Sequence, residues 1–357
     1  LRGEESSDIF SIIKQGDVML SHPFDSFDPV IKLLESAASD PDVVAIKQTI
    51  YRVSRNSRIM NALIEAAKKG KQVTVLIELK ARFDEANNIE WARRLESAGA
   101  TVLYGTANVK THCKITMVIR KENQSLKHYI HLGTGNYNED TARLYTDISL
   151  MTCNEEIAKD AILVFNFLSG YTRPNNLSKL SVSPFNLKDN LLSLILREKE
   201  NANKNIKAGI RAKMNSLCDP DIINALYEAS NAGVKIELLV RGICCLRPGV
   251  AGLSDNISVI SIVGNFLEHS RIFSFENGGN GEYYCSSSDM MPRNFERRIE
   301  LMFPVEDETL KEKLNQVLTI KLSDNVKSYR LASDGKYVKN HPEDNKIIDS
   351  QNMLKEL

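Results

Sequence analysis

His112 and His269 each stand two residues ahead of a basic side chain, at the head of an apolar run. The first lies in Val109-Lys-Thr-His-Cys-Lys-Ile-Thr-Met-Val-Ile119, the second in Phe266-Leu-Glu-His-Ser-Arg-Ile-Phe-Ser-Phe275. On an extended strand residues i and i+2 face the same way, so His112 is expected beside Lys114 and His269 beside Arg271. An imidazole with an ordinary pKa of ~6.5 is largely neutral near pH 7, and its free nitrogen can attack phosphorus. A fixed cation two residues on suits the oxygens of the group being moved. One histidine at a strand end is usually a packed, hydrogen-bonded residue. Two, at the same point of a repeated architecture, are hard to explain by packing alone. Such a pair lets one imidazole act as nucleophile and the other as general acid. The residues alone do not say which does which.

A second layer of candidates surrounds the pair. Gly133-Thr-Gly-Asn-Tyr-Asn138 follows the first histidine strand and offers backbone N–H groups that can approach phosphate oxygens closely. Arg52, Arg82 and Arg241 are expected at the carboxyl ends of strands, where open α/β sheets place ligands. Guanidinium forks match phosphate bidentately. Arg55, Arg58, Arg143, Arg293, Arg297 and Arg298 are weaker candidates, because most surface arginines are solvated charge. Tyr145 could stack on a base or bond a phosphate, or simply pack with its hydroxyl wet. His128 and His341 read as surface residues, His131 as part of the strand before the glycine loop, and His22 as part of a loop motif. There is no Walker-type P-loop, no kinase His-Arg-Asp loop and no dinucleotide fingerprint. A nucleotide, if handled, is held by another design.

The elements that must position these residues occur twice. Asn61-Ala-Leu-Ile-Glu-Ala-Ala-Lys-Lys-Gly70 reappears as Asn224-Ala-Leu-Tyr-Glu-Ala-Ser-Asn-Ala-Gly233. Both read as the end of an amphipathic helix closed by glycine. Apolar strands follow at Val73–Leu79 and Val234–Val240, and strand-like runs precede at Val43–Tyr51 and Asn205–Met214. Strand–helix–strand units with near-continuous apolar strands imply α/β domains built on a mainly parallel sheet. The expected division is residues 1–16 as the exit of a preceding domain, 17–180 and 181–330 as sister domains, and 331–357 as a polar tail. The break falls in the Pro-, Ser- and Asn-rich segment 171–184.

Composition narrows the class. With 42% hydrophobic and 26% charged residues, the 357-residue chain has the balance of a globular protein large enough for two cores. Its 46 basic and 46 acidic residues cancel, which argues against a general polyanion sponge and requires local focusing of positive charge on any anionic substrate. No apolar run approaches the ~18 residues a membrane span needs. The six cysteines show no metal-finger or CxxC spacing, and the simplest compartment is a reducing cytoplasm. The chain opens without Met or a signal-peptide pattern and reads as a piece of something longer.

The paired His-x-basic strands, followed by Gly133-Thr-Gly-Asn136 and Ser286-Ser-Ser-Asp289, resemble the phospholipase D superfamily. Ser21-His-Pro-Phe-Asp-Ser-Phe27, Ile50-Tyr-Arg-Val53, Glu78-Leu-Lys-Ala-Arg-Phe-Asp-Glu85, Thr111-His-Cys-Lys114, Ala142-Arg-Leu-Tyr-Thr-Asp147 and Phe266-Leu-Glu-His269 narrow the resemblance to the two C-terminal domains of the bacterial polyphosphate kinase family. It implies two tandem phospholipase D-like α/β domains, each a mainly parallel mixed sheet flanked by helices. It also implies reversible transfer of the ATP γ-phosphate to inorganic polyphosphate, with Mg²⁺, through a phosphohistidine at His112. His269 is then the second catalytic histidine, and Tyr145, Arg241, His269, Lys114 and Arg271 contact ATP or its phosphates. Arg52 and Arg82 fall at the family's Mg²⁺ site. A guanidinium has no acceptor for a cation, so they are expected to clamp phosphates that the metal also binds. The resemblance further implies ATP, ADP and polyphosphate as partners, no nucleic acid, peripheral membrane association, and a homo-oligomer for the full-length protein. The superfamily pattern has an Asp five residues after the basic residue, but Ile119 and Glu276 stand here, and Arg271 replaces the second Lys. Phosphodiester hydrolysis and non-catalytic polyphosphate binding are the competing readings.

Overall fold

The computed structural model describes residues 8–79, 85–105, 109–170, 172–342 and 346–356. The chain forms two compact units. One comprises Leu1–Arg143 and Ile148–Leu180; the other comprises Leu144–Asp147 and Ser181–Leu357.

In the first unit the elements run α1 (Ile9–Gln15), β1 (Val18–His22), α2 (Asp28–Ser39), β2 (Val43–Ile50), α3 (Arg58–Lys68), β3 (Gln72–Ile77), α4 (Glu85–Ser97) and β4 (Thr101–Tyr104). The short β5 (Lys110–Thr111), then β6 (Lys114–Glu122), β7 (Ser125–Gly133), β8 (Tyr145–Thr152, of which Tyr145–Asp147 count with the second unit) and α5 (Glu155–Leu168) complete it. The sheet order is β1-β8-β7-β6-β2-β3-β4. Strands β2, β3 and β4 are parallel, linked through α3 and α4. β6 is antiparallel to β2 and β7, and β8 is antiparallel to β7, with β6 joined to β7 by a tight turn at Asn123 and Gln124, both with positive φ. The sheet is therefore mixed, with parallel pairing among β2, β3 and β4 and antiparallel pairing from β2 through β6 and β7 to β8. This is the mixed α/β architecture expected, with helices flanking the sheet; its antiparallel part includes the β6–β7 pair, whose link is too short for a crossover.

The repeated helix ends are real C-caps. Gly70 and Gly233 have φ of 82° and 95°, and the amides after them, Lys71 and Val234, bond back to Ala66 and Ala229 at 3.1 and 3.0 Å. Only glycine takes this left-handed turn without strain, which is why each helix stops there and a strand starts at once. The N-terminal segment is not a bystander. Ile9, Phe10 and Ile13 of α1 are buried in the first core, with the Phe10 ring 4.8 Å from that of Tyr129. After α5, the buried Asp160 accepts hydrogen bonds from the amides of Ser178, Lys179 and Leu180, fixing the segment read as a break.

The second unit runs β9 (Ser181–Ser183), α6 (Leu187–Asn203), β10 (Gly209–Met214), α7 (Pro220–Asn231), β11 (Lys235–Val240), β12 (Ile257–Ile262), β13 (Leu267–Glu268), β14 (Arg271–Phe275) and β15 (Glu282–Ser286). It continues with α8 (Pro292–Arg297), β16 (Arg298–Val305), α9 (Glu308–Leu322), β17 (Ser328–Leu331), β18 (Tyr337–Lys339) and α10 (Ser350–Met353). Its sheet order includes β18-β17-β12-β11-β10-β14-β15-β16, again with parallel pairing only in β10, β11 and β12. Beside it, β13 pairs in parallel with Tyr145 and Thr146. Residues 331–357, expected as a polar tail, are partly built in: Leu331, Ser350, Gln351 and Leu354 are buried, and β17–β18 extends the sheet. The polar composition misled because Ser350 and Gln351 are buried through hydrogen bonds, to Asp324 and to Phe266, rather than through apolar contact.

Candidate active site

In the first unit, the functional residues collect where β2 ends and β6 begins. His112 does not lie on the strand, as the i, i+2 reading assumed; it falls in the break between β5 and β6. The cause is Thr49 on β2. Its hydroxyl donates to the Cys113 carbonyl at 2.9 Å and accepts from the Ile115 amide at 3.1 Å, so a side chain replaces the ladder at this point. The backbone is thus fixed on both sides of the histidine. His112 is 7% exposed and its ring meets Tyr51 edge-on, with centroids 4.8 Å apart at 83°. Lys114 Nζ bonds to the His112 carbonyl and lies 5.6 Å from the Tyr51 ring centroid. The Arg52 guanidinium lies 5.6 Å from the same centroid. Tyr51, whose role the sequence did not suggest, is the hub around which His112, Lys114 and Arg52 gather.

Helix α4 holds this corner. Asn88 is fully buried and its amide donates to the carbonyls of Tyr51 and Glu78, each at 3.0 Å, tying together the ends of β2 and β3. Asn87 bonds to the Val53 carbonyl at 2.9 Å and Trp91 Nε1 to that of Ser54 at 3.2 Å. Each such neutral hydrogen bond contributes about 1 kcal/mol, and three of them pin the segment that carries Arg52. Glu78 is buried and accepts from the Thr111 amide at 3.1 Å, next to His112. Arg82 lies outside the described residues.

The glycine loop works differently from the expectation. The Thr134 hydroxyl accepts from the Ile148 amide at 3.0 Å, so it fastens the loop to β8. Gly133 packs closely: a Cβ there would lie 3.3 Å from His131 Cε1, so the ring would have to give by a few tenths of an ångström. Burial pushes His131 down to about 3, so its ring is neutral, with Nδ1 2.7 Å from the Tyr137 hydroxyl. His22 is likewise engaged, with its ring nitrogens at the Asp25 carbonyl and the Ser149 hydroxyl.

In the second unit, His269 sits in the break between β13 and β14. Its Nδ1 is 2.8 and 2.9 Å from the two oxygens of Asp147. A carboxylate there holds the proton on Nδ1, which leaves Nε2 with its lone pair. Arg271 Nη1 lies 3.2 Å from that nitrogen and donates to the His269 carbonyl at 2.9 Å. Arg271 is buried and forks onto Asp289, with Nε–Oδ1 at 3.2 Å and Nη2–Oδ2 at 3.1 Å. Burial alone would raise the Asp289 pKa; Arg271 and the two Asn215 donors outweigh it and hold the carboxyl well below its usual range. Asn215 links onward: its amide nitrogen donates to the His269 carbonyl, and its Oδ1 accepts from Arg241 Nε at 2.8 Å. Burial, and then the nearby Arg271, lower the Arg241 pKa. The Tyr145 ring lies 5.4 Å from that of His269.

The structure thus brings Tyr145, Arg241, His269 and Arg271 into one network, and His112, Lys114 and Arg52 into another. The sequence reading missed the carboxylates and Asn215. Asp147 and Asp289 stand in motifs that had been noticed for other residues. The superfamily's acidic positions do not substitute for them: Ile119 lies well along β6, in register with His128, and Glu276 pairs with Lys207. Among the described residues no group of three or more His, Cys, Asp or Glu side chains could hold a metal ion. Arg52 offers only donors, so it does not fit a metal-ligand role.

Two mixed α/β units, each with a histidine at a strand break and a cation two residues on, define a tandem phospholipase D-like protein. The comparisons narrow this. Residues 8–174 match the model of polyphosphate kinase C-terminal domain 1, and residues 180–351 that of C-terminal domain 2. Polyphosphate kinase 1 of Chlorobaculum tepidum is 53% identical over 334 residues, covering 94% of this chain and 48% of that protein. The crystal structure of polyphosphate kinase from Porphyromonas gingivalis superposes with a TM-score of 0.92 at 39% identity, over 99% of this chain and 54% of that one. A yeast tyrosyl-DNA phosphodiesterase mutant shares the fold alone, with a TM-score of 0.52 at 8% identity, over 81% of this chain and 89% of that one. The chain belongs to the polyphosphate kinase family and spans about half the length of the relatives it matches.

Proposed function

We propose that this chain carries the phosphoryl-transfer site of a polyphosphate kinase, with His112 as the residue phosphorylated by ATP. The observation that carries this reading is the packing of His112 against Tyr51, with Lys114 and Arg52 beside the same ring. A ring nitrogen of neutral His112 attacks the γ-phosphorus; the P–N bond forms as the bond to the β–γ bridging oxygen breaks and ADP leaves. An oxygen at the end of a polyphosphate chain then attacks the phosphohistidine, the P–N bond breaks, and the chain grows by one phosphate. Run backwards, the same steps regenerate ATP. Lys114 and Arg52 bind the phosphate oxygens through charge-assisted bonds. His269, Arg271, Arg241 and Tyr145 bind the nucleotide, with His269 Nε2 available for proton exchange. Mg²⁺ bound with the nucleotide would neutralise charge on the phosphate oxygens that Lys114 and Arg52 also hold.

The six free cysteines support a reducing compartment, and no described helix is long and apolar enough to cross a membrane. Association with a membrane surface and self-assembly belong, in this reading, to the full-length protein. The test is incubation of that protein with γ-labelled ATP. An acid-labile, alkali-stable phosphoprotein that disappears in His112→Ala is expected; persistence of the label in that variant overturns the assignment.

A further inference from the structure

Beneath His269 lies a cluster of charges that the transfer scheme does not use. Lys213 on β10, Glu268 on β13 and Lys321 on α9 are 0%, 1% and 1% exposed. Lys321 Nζ is 2.8 Å from both Glu268 oxygens, and Lys213 Nζ is 3.2 Å from Oε2. Lys213 also reaches the hydroxyl and carbonyl of Ser270 at 2.8 and 3.0 Å. Gln351 donates to Glu268 Oε1 at 2.8 Å.

Two buried ammonium groups on one carboxylate are an inefficient way to gain stability, because apolar side chains of similar volume usually do as well or better. What the cluster fixes is a register. Glu268 and Thr146 are directly paired residues of adjacent parallel strands. The Thr146 hydroxyl donates to Glu268 Oε2 at 3.0 Å and accepts from the His269 amide at 3.2 Å. One residue further along the chain in each case stand His269, just past β13, and Asp147, the imidazole and the carboxylate that orients it. The charges therefore clamp the residue pair immediately before the working pair.

We propose that Lys213, Glu268 and Lys321 form a positioning device for His269, acting through the Thr146 hydroxyl to keep the Asp147 carboxylate on Nδ1. The proposal rests on the reading of His269 as a working imidazole. Lys213, pushed down to about 8 by burial, keeps its charge near neutral pH because Glu268 opposes that loss. A cluster serving stability alone would leave the Nδ1–H···Asp147 bond intact when weakened. A positioning device would not.

The bond is read directly by NMR of the chain labelled with ¹⁵N-histidine, as a low-field Nδ1–H resonance of His269 that Asp147→Asn removes. Thr146→Val, which keeps the shape and deletes the hydroxyl, should abolish or broaden that resonance, and Thr146→Ser should restore it. Lys321→Met should shift it. In the full-length protein Thr146→Val should lower kcat roughly ten-fold or more while leaving KM for ATP within about two-fold, the pattern of lost alignment rather than lost binding. A folded Thr146→Val with an unchanged resonance and kcat overturns the proposal, as does a Thr146→Ser that fares no better than Val. If Thr146→Val does not fold, an unshifted resonance in Lys321→Met overturns it. Full activity of His269→Ala would refute the functional reading instead, and leave the NMR result standing.

Discussion

Arg271 and Asp289 form a two-pronged ion pair in the interior of the second unit, and the same arginine reaches Nε2 and the carbonyl of His269. Removing one partner of a buried pair leaves an uncompensated charge, at a cost of about 3–5 kcal/mol. Asp289→Asn should therefore lower stability by that order in denaturant titrations. Arg271→Lys keeps the charge but loses the fork, and should weaken both the Asp289 and His269 contacts. A stability loss in Asp289→Asn below about 1 kcal/mol would contradict the burial of this pair.

Acid should act through Glu268. Burial alone would raise its pKa, but Lys321 and Lys213 outweigh that and bring it down to about 2. The folded value lies below the unfolded one of ~4.3, so its contribution is complete above pH ~4.3 and is lost as pH falls towards 2. The stability gap between the native chain and Glu268→Gln should accordingly narrow over that window. A gap independent of pH from 5 to 2, in urea midpoints taken at each of several pH values, would refute this.

Asn88 fixes the backbone immediately before Arg52. Asn88→Leu keeps the volume, removes the bonds to Tyr51 and Glu78, and strands two buried carbonyls at about 1–3 kcal/mol each. The full-length variant should bind polyphosphate and ATP more weakly, with a raised KM. Unchanged KM values in a folded variant would show that the Arg52 segment is held by Asn87 and Trp91 alone.

At Gly242 the constraint is steric. A Cβ there would stand 2.9 Å from the carbonyl oxygen of Asn215, a backbone atom that cannot swing aside. Gly242→Ala should displace Asn215 from Arg241 and weaken ATP binding in the full-length protein several-fold, with little change in the phosphohistidine yield at saturating ATP. Calorimetric titration and phosphoprotein labelling separate the two effects.

Much of the fold was legible because it rests on local rules. Gly70 and Gly233 announce their helix ends through a backbone conformation few other residues accept, and the repeat follows. The parallel strands carry near-continuous apolar runs that periodicity detects. The candidate site was legible only where a residue type is rare in its setting, as with His112 and His269. Asp147, Asp289 and Asn215 escaped because their partners lie 18 to 122 residues away, and nothing local distinguishes a paired aspartate from a solvated one. Lys213 and Lys321 did leave a trace, each charged at a position where neighbouring residues are apolar. That trace signals a buried partner without saying which. Thr49 left none: a threonine on a β-strand is ordinary, and only the structure shows its hydroxyl standing in for the ladder.

Residues 144–147 come before the family's second C-terminal domain in the chain, yet they belong to the second unit. They carry Tyr145, Thr146 and Asp147, so a gene cut at residue 180 would separate His269 from the carboxylate that sets its tautomer. The downstream half is therefore not self-sufficient: begun at residue 180, it would carry His269 and Arg271 without Tyr145, Thr146 and Asp147, and a fragment meant to hold the complete second histidine site must bring residues 144–147 with it.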